Sequence, residues 1–252
     1  MSNKVLGIVT ARYASTRFPG KPLVDIGGLP MVHRTYNQAK KANFDHVVVA
    51  TDDARIRKYC YDNKIHFCMT SSKPESGTER CAEVWDKTMF EPEANGYKYI
   101  VNIQGDEPFV APETLNLVIN RLKASNGNSD PIIVTPIMEI LDKELAKDPG
   151  TVKVVIDKSG YAMYFSRSPI PFDRDGDAHF WYWKHLGVYG YDINTLMRVA
   201  ALPKIRYSEV EKLEQLKWLE HGYRIATVET DHDSDGIDTP EDLERVIKKY
   251  GL

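Results

Sequence analysis

Short apolar segments rich in β-branched residues alternate with helix-like segments through the first half of the sequence. The strand-like segments are residues 5–9, 46–50, 66–69 and 99–103, and the helix-like segments are residues 31–42, 52–63 and 78–89, with another helix opening at Pro112. The connections between successive strands are too long for hairpins. This alternation predicts an α/β fold with a mostly parallel sheet and helices on both faces, with ligands at the carboxyl ends of the strands.

The second half continues the pattern less regularly. Its strand-like segments are residues 132–137, 152–156, 162–165, 186–191 and 223–228, and its helix-like segments are residues 208–220 and 240–250. Residues 168–183 are rich in Pro, Asp and aromatic side chains and predict a projecting arm or lid. A length of 252 residues fits one α/β domain. We therefore expect a single domain over residues 1–252, with about 160–205 as an arm or lid excursion.

A cationic loop follows the first predicted strand. It contains Arg12, Arg17 and Lys21 together with the hydroxyls of Ser15 and Thr16, and no acidic residue neutralises them. Three cations and several hydrogen-bond donors in one loop can bind a polyphosphate, and arginine can do so through paired hydrogen bonds. The alternative is a solvated basic surface loop, which the residues of this loop alone do not exclude.

Two common phosphate-binding motifs are excluded at this loop. A P-loop requires glycine where Ser15 stands and serine or threonine where Pro22 stands. The three spaced glycines of a dinucleotide-binding fold are also missing after this strand. The loop therefore indicates a different class of nucleotide-binding protein.

Two carboxylates are placed to act beside these cations. Asp106 follows an apolar strand, and Pro108 prevents that strand from continuing. Asp238 comes just before a predicted helix start, where Thr239 and Asp242 have the spacing of a helix cap. Capping is the structural alternative for this region, but it explains Asp242 better than Asp238. Carboxylates near phosphate-binding cations predict a Mg²⁺ ion held by Asp106 and Asp238.

Residues 76–80 allow two interpretations. Ser76 and Glu79 have the spacing of a capping box, which would make this segment an ordinary helix start. Capping does not explain Gly77, which would let the backbone approach a ligand, or Arg80, which could reach a carboxylate or phosphate. Four further polar residues would by themselves be ordinary core or helix residues: His185, Tyr189, Glu214 and Gln215.

Composition limits the possible partners. The 33 basic and 36 acidic residues give a net charge of −3, so no general attraction to nucleic acid or to an anionic membrane is expected. No apolar run approaches the roughly 20 residues of a membrane span. The first apolar run of the sequence is too short for a signal peptide, so we expect a cytoplasmic protein. Cys60, Cys68 and Cys81 follow no metal or redox spacing and are expected to be reduced packing residues.

Taken together, these blocks strongly resemble the 3-deoxy-manno-octulosonate (Kdo) cytidylyltransferases, also called CMP-Kdo synthetases. The similarity runs from about Val5 to Val246 through ARYASTRFPGKPL, SGTER, NIQGDEP, VKVV, YFSRSPIP, HLGVYGY, LEQL and GIDTPEDL. The resemblance implies a Rossmann-like nucleotide-diphospho-sugar transferase fold with a dimerisation arm, and hence a homodimer. It also implies transfer of CMP from CTP to Kdo, releasing pyrophosphate, for lipopolysaccharide or capsule biosynthesis.

The resemblance assigns roles to individual residues. Arg12 and Lys21 match the triphosphate ligands of the family, and Asp106 and Asp238 match its Mg²⁺ ligands. With the two carboxylates, Arg12 and Lys21 form the expected catalytic set. The positions that match the surroundings of the sugar are Arg80, Gln104, His185, Tyr189, Glu214 and Gln215. The expected substrate-binding residues also include Ser15, Arg17, Ser76 and Gly77, because of their places in the cationic loop and at the helix start.

Two departures from the family pattern leave the sugar open. Thr10 stands where the family usually has proline, and residues 148–151 replace a more usual Asn-Pro-containing stretch. An 8-amino analogue of Kdo is therefore an alternative substrate. A nine-carbon acid sugar is a further alternative, although the cytidylyltransferases for such sugars differ from this sequence in the blocks around Gln-Gly-Asp and the sugar site. A nucleotide-sensing binding protein without turnover is the alternative outside enzymes, and the presence of both carboxylates disfavours it.

Overall fold

The computed structural model describes residues 3–14, 17–89, 95–125, 132–175 and 181–252. The strands are β1 (Lys4–Ala11), β2 (Asp25–Ile26), β3 (Leu29–Pro30), β4 (His46–Thr51), β5 (Phe67–Met69), β6 (Tyr97–Gln104), β7 (Ile133–Ile140), β8 (Lys153–Ile156), β9 (Ala162–Ser166), β10 (Tyr182–His185), β11 (Tyr189–Asp192) and β12 (Ile225–Glu229). The α-helices are α1 (Met31–Lys41), α2 (Ala54–Asp62), α3 (Gly77–Thr88), α4 (Pro112–Ala124), α5 (Lys143–Lys147), α6 (Ile193–Ala200), α7 (Arg206–Glu211), α8 (Gln215–Glu220) and α9 (Pro240–Tyr250). No helix within these described ranges has the length and apolar character needed to cross a membrane.

One mixed sheet of ten strands organises the described part of the chain. Its order is β5-β4-β1-β6-β11-β7-β10-β8-β9, and β12 pairs with β7. Strands β5, β4, β1 and β6 are mutually parallel, and β12 is parallel to β7. Only β9, β10 and β11 run in the opposite direction among these ten strands. The expected α/β fold with a mostly parallel sheet is therefore confirmed.

The sheet is covered by helices on both faces because its central strands alternate the direction of their apolar side chains. Val5 and Val9 of β1 pack in the core beneath α1, α2 and α4. Leu6 and Ile8 of the same strand pack in the core beneath α3, α6 and α8. Each fully buried side chain of this kind contributes about 1.5–3 kcal/mol of hydrophobic free energy.

Cys60 and Cys81 have free thiols. Cys60 of α2 and Cys81 of α3 are fully buried, and Cys68 of β5 is partly buried. Burial raises the pKa of the Cys60 thiol to about 11 and raises that of Cys81 further. The expectation of reduced packing residues is thus confirmed for the two helical cysteines.

The expectation of one continuous helix over residues 208–220 is wrong, because the structure has two helices there, α7 and α8. Lys212 stands between the two helices with a left-handed backbone, at φ 53° and ψ 45°. This conformation is costly for a residue with a side chain, and no glycine or proline signals it in the sequence. The break brings Glu214, at the start of α8, beside α3.

Part of the stretch expected as an arm, about 160–205, belongs to the main sheet. Strands β9, β10 and β11 lie in the sheet, and α6, which the sequence analysis did not predict, packs against α3. Residues 176–180 of this stretch lie outside the described residues. Its role in dimerisation stays a prediction.

The strand expected over residues 186–191 begins later, at Tyr189. Residues 186–188 separate β10 from β11, and Thr135 of β7 donates to the carbonyl oxygens of Leu186 and Val188 at 3.2 and 2.9 Å. The Leu186 carbonyl oxygen also accepts from the Val188 N–H at 2.8 Å, so hydrogen bonds outside the strand ladder occupy the carbonyl groups of this bend. This interruption places His185 and Tyr189 on either side of a bend beside β6.

Candidate active site

The loop after β1 is folded back on itself. Gly20 adopts φ +75° and its N–H donates to the carbonyl oxygen of Tyr13 at 3.2 Å. A side chain at Gly20 would come within 3.0 Å of the Tyr13 hydroxyl, so glycine is required both for the conformation and for the contact. Lys21 then opens a short 3₁₀-helix with Pro22, which restrains its backbone. Ser15 lies outside the described residues.

A cavity of about 460 Å³ opens where β1 and β6 end. This is the edge of the sheet at which the sequence predicted ligand binding. The site residues predicted from sequence that line it are Arg12, Arg17, Lys21, Gly77, Arg80, Gln104, Asp106 and Asp238. The structure therefore brings the cationic loop and both predicted metal carboxylates to one cavity.

Lys21 lies between the two carboxylates. Its Nζ donates to Asp106 Oδ2 at 2.7 Å and to Asp238 Oδ1 at 3.0 Å, and only 10% of its side chain is exposed. Burial alone would lower the pKa of Lys21, but Asp106 and Asp238 outweigh burial and raise it. Arg17 Nη2 also contacts Asp238 Oδ1, at 3.1 Å, from a more exposed position. Lys21 and Arg17 together balance the charge of the two carboxylates.

Backbone contacts hold the two carboxylates in register. The Ile237 N–H donates to the Asp106 carbonyl oxygen at 3.0 Å, and Ile237 itself is fully buried. The Gly105 N–H donates to the Thr10 carbonyl oxygen at 3.0 Å, where a Cβ on Gly105 would stand only 2.5 Å from that oxygen. The loop that carries Asp238 is therefore attached directly to the loop that carries Asp106.

The cap of α9 separates the roles of its neighbouring acidic residues. Thr239 accepts a hydrogen bond from the Asp242 N–H, and Asp242 Oδ2 accepts from the N–H groups of Asp238 and Thr239 at 3.0 and 3.1 Å. Asp242 is thus occupied by capping, as the sequence analysis proposed. The Asp238 carboxylate takes no part in the cap and faces the cavity.

The described residues contain no cluster of three or more His, Cys, Asp or Glu side chains that could hold a metal ion. Asp106 and Asp238 nevertheless place one oxygen each within hydrogen-bond distance of a single cationic atom, Lys21 Nζ. Two carboxylates fit Mg²⁺, which keeps several water molecules and takes further ligands from substrate phosphates.

The start of α3 has both a structural and a ligand-facing side. Ser76 caps the helix by accepting from the Glu79 N–H at 3.2 Å, whereas Glu79 accepts from the Glu75 N–H at 2.8 Å and does not complete the capping box. Gly77 lies against the side chain of Asn102, since a Cβ would meet its Nδ2 at 2.6 Å. Gly77 is therefore needed for close packing at the cavity wall.

Arg80 is fully buried at the base of the cavity. Its guanidinium contacts Asp52 Oδ2 at 3.1 Å and also donates to Thr70, while its Nε has no hydrogen-bond partner. Arg12 donates to the Pro74 carbonyl oxygen. Burial, and then the charge of Arg80, lower the pKa of Arg12. The two guanidinium groups form a fixed positive region beside the phosphate loop.

His185, Tyr189, Glu214 and Gln215 do not line the described cavity but gather in a buried cluster beside it. Tyr189 pairs with Asn102 across β11 and β6, and its ring centroid lies 5.2 Å from that of His185. Glu214 Oε2 accepts from the Thr78 hydroxyl at 3.0 Å, next to the cavity residue Gly77. Burial lowers the pKa of His185 to about 3, so its ring is neutral at pH 7.

This cluster has unused hydrogen-bonding capacity. Among the described residues, the buried atoms that lack a hydrogen-bond partner include Tyr189 Oη, Glu214 Oε1, Gln215 Nε2 and Trp218 Nε1. Lys217 lies 3.5 Å from Glu214 Oε1 without a hydrogen bond between them. Unpaired buried polar atoms are uncommon and costly, so their concentration indicates a place for a polar ligand.

Two residues of this region were missed in the sequence analysis. Asn102 is buried between Thr10, Gly77 and Tyr189. Its position as a polar residue inside an apolar strand could have identified it from the sequence. Trp218 is fully buried, with its ring centroid 4.9 Å from that of Tyr189. On an apolar helix face, nothing in the sequence distinguishes Trp218 from an ordinary core residue.

An α/β sheet that presents clustered cations and paired carboxylates at one cavity is the arrangement of an enzyme that acts on phosphate groups, and the comparisons place it among the nucleotidyltransferases. A family model described as cytidylyltransferase matches residues 6–225. The 3-deoxy-manno-octulosonate cytidylyltransferase of Fusobacterium nucleatum subsp. nucleatum is 45% identical over 248 residues, which cover 97% of this chain and 96% of that protein. The chain belongs to the 3-deoxy-manno-octulosonate cytidylyltransferase family.

Further comparisons agree with this membership. The mitochondrial 3-deoxy-manno-octulosonate cytidylyltransferase of Arabidopsis thaliana is 42% identical over 247 residues, covering 97% of this chain and 82% of that protein. A solved structure of CMP:2-keto-3-deoxy-manno-octonic acid synthetase complexed with CTP has a TM-score of 0.88 and 35% identity, covering 99% of this chain and all of that chain. A 4-diphosphocytidyl-2C-methyl-D-erythritol synthase from Anaerococcus prevotii, at TM-score 0.62 and 13% identity, shares the fold.

Proposed function

We propose that the protein transfers CMP from CTP to Kdo and releases pyrophosphate. In this reaction the anomeric hydroxyl of the sugar attacks the α-phosphorus in line with the departing pyrophosphate, and no covalent enzyme intermediate is needed. The observation that carries the proposal is the meeting of Lys21, Asp106 and Asp238 at the cavity. Family membership supplies the identity of the nucleotide and of the sugar.

The cations of the cavity bind and stabilise phosphate. Arg12, Arg17 and Lys21 reach it from one loop, so they can hold the β- and γ-phosphates and stabilise the charge on the leaving pyrophosphate. Asp106 and Asp238 would hold Mg²⁺, which supplies charge stabilisation at the α-phosphate when bound. Because the backbone ties these loops together, the segments that carry these side chains are in place before the substrate arrives.

The buried cluster next to the cavity is proposed to bind the acid sugar. His185 is neutral and hydrogen-bonded to Thr135 at 3.1 Å, so it can orient a hydroxyl without adding charge. Tyr189, Glu214 and Gln215 offer the unpaired polar atoms that a polyhydroxylated ligand satisfies. Arg80 and Gln104 line the cavity beside this cluster, at the position where sugar and nucleotide would meet.

Three further proposals rest on the family resemblance. The product would serve lipopolysaccharide or capsule biosynthesis, the protein would act in the cytoplasm, and the arm would join two copies into a homodimer. Size-exclusion chromatography with light scattering tests the last of these. A monomer at micromolar concentration would contradict it.

Pyrophosphate release tests the reaction. The protein is incubated with CTP, Mg²⁺ and either Kdo, 8-amino-3,8-dideoxy-manno-octulosonate or a nine-carbon acid sugar, with Lys21→Met as the matched inactive control. We expect turnover with Kdo and a loss of about a hundredfold or more in the control, the scale of one preorganised charged group. Faster turnover with another sugar would reassign the substrate. CTP binding without release for any sugar would identify a nucleotide-binding protein.

A further inference from the structure

The position between Asp106 and Asp238 is already filled by a protein cation. Lys21 Nζ lies 2.7 Å from one carboxylate and 3.0 Å from the other, so one ammonium neutralises both. The Lys21 side chain is 10% exposed, whereas those of Asp106 and Asp238 are 32% and 47% exposed. The ammonium therefore lies on the protein side of the pair, and the carboxylates face the cavity.

A divalent cation cannot bind both of these oxygens while the ammonium remains. The two ligand oxygens would have to turn toward a second positive charge, and the two cations would then repel each other at close range. Lys21 would have to leave two charge-assisted hydrogen bonds with no replacement. Among the described residues that line the cavity, Glu75 is the one other carboxylate that could accept the ammonium in the free protein.

A triphosphate changes this balance, because its oxygens are alternative acceptors for the ammonium. The backbone of Lys21 is fixed between Gly20 and Pro22, but its flexible side chain can turn from the carboxylates toward the cavity. Movement of this one side chain then frees both of the oxygens to which the ammonium was bound. The ammonium thus exchanges the two carboxylates for a phosphate group as its partner.

We infer that Lys21 weakens the binding of divalent metal to the free protein and releases the carboxylate pair when a nucleoside triphosphate binds. Metal and nucleotide would then bind together rather than independently, with Lys21 as the coupling group. This inference rests on the metal site in the proposed function. It adds that the same lysine weakens metal binding in the absence of nucleotide.

Mn²⁺ binding to the protein without nucleotide tests the inference. The free ion is measured by electron paramagnetic resonance in titrations of the wild type and of Lys21→Met. The variant should bind Mn²⁺ about tenfold or more tightly than the wild type, within the usual range of coupling between ligands. Lys21→Met/Asp106→Asn should lose this gain, because only one carboxylate of the pair then remains.

Arg17→Met is the matched control. Arg17 contacts Asp238 but not Asp106, and its side chain is 65% exposed, so it does not occupy the position between the carboxylates. Its removal should change Mn²⁺ affinity by less than about threefold, as expected for an exposed pair. A gain in Arg17→Met as large as that in Lys21→Met would overturn the inference, because general loss of positive charge would then explain both.

A second variant keeps the inference testable if Lys21→Met folds poorly. Lys21→Gln keeps a polar group of similar reach without the charge, and Mn²⁺ should raise its melting temperature more than that of the wild type. Equal Mn²⁺ affinities in wild type and both Lys21 variants would overturn the inference even if the wild type makes CMP-Kdo. Failure of pyrophosphate release with the expected Mn²⁺ gain would instead contradict the proposed function and leave the inference standing.

Discussion

Asp235→Asn tests how the loop carrying Asp238 is held. The Asp235 carboxylate is 7% exposed and accepts hydrogen bonds from Arg245 Nη1 at 2.9 Å, Lys249 Nζ at 2.7 Å and Tyr250 Oη at 3.0 Å. All three donors belong to α9, so the carboxylate joins the last turns of that helix to the loop preceding it. The substitution keeps the shape of the side chain and removes its charge.

The expected loss follows from these contacts. Hydrogen bonds to a charged group contribute about 1.5–3 kcal/mol each when buried, but the arginine and lysine partners are half exposed and count for less. We expect the free energy of unfolding at pH 7 to fall by about 2–3 kcal/mol. For a chain of this length the melting temperature should fall by about 4–12 °C, at about 2–4 °C per kcal/mol.

The effect should depend on pH with a definite sign. Burial raises the pKa of Asp235, but hydrogen bonds from Lys249, Arg245 and Tyr250 outweigh burial and lower it. A lowered carboxyl pKa gives stability that is complete above the unfolded value, about 3.9, and is lost as the pH falls through the folded value. The difference between wild type and variant should therefore be constant from pH 7 to 5 and shrink toward pH 3.

Urea unfolding followed by circular dichroism at pH 7, 5 and 3 measures this difference. Asp62→Asn is the control, since Asp62 forms only an exposed pair with Lys58 and should change stability by less than about 0.5 kcal/mol. A loss in Asp235→Asn as small as that of the control, or one independent of pH, would refute the argument. The Mg²⁺ concentration for half-maximal pyrophosphate release should also rise, because the loop of Asp238 is loosened.

Three further outcomes are expected. Asp106→Asn and Asp238→Asn should each reduce pyrophosphate release by about a hundredfold or more, and the double variant should be little worse than the poorer single one, because both hold the same ion; additive losses would contradict a shared site. His185→Gln should gain stability relative to wild type as the pH falls below about 6.5. The pKa of His185 is about 3 in the folded protein and about 6.5 in the unfolded one, so protonation at low pH favours unfolding of the wild type alone. Thermal unfolding at several pH values checks this, and a difference in stability that does not change with pH would contradict it. Gly105→Ala should lose about 1–3 kcal/mol in urea unfolding because its Cβ would meet a backbone oxygen at 2.5 Å, whereas Gly236→Ala, which meets nothing within 4 Å, should not; equal losses would contradict the packing argument.

Local signals in the sequence predicted the parts of the fold that local physics decides. Helix α9 begins at Pro240 and ends at Tyr250 as expected, because Thr239 caps it and proline suits the first helical position. Helix α2 likewise begins after Asp53, whose side chain accepts from the Arg55 N–H. The break at Lys212 has no such signal, since only the surrounding packing can hold a lysine in a left-handed conformation.

The same distinction applies to the site. The cations of the loop and the carboxylate of Asp106 were predictable, because each follows a strand that ends at the ligand-binding edge of the sheet. The contact of Lys21 with both carboxylates was not, because it depends on distances between segments that are remote in sequence. Thr10 was only partly predictable. The sequence showed that Thr10 departs from the family pattern, but only the structure shows that its hydroxyl lies 3.3 Å from Asn102 Oδ1.

The contact between Lys21 and Asp238 joins residues 217 positions apart, and Asp238 is among the last fifteen residues of the chain. During synthesis, the strand and loop that provide the cations are finished long before the carboxylate that completes the pair. A polypeptide that stops anywhere before Asp238 can form the first half of the sheet but never the complete pair of carboxylates. A polypeptide truncated before residue 238 is therefore expected to lack any activity that requires both carboxylates.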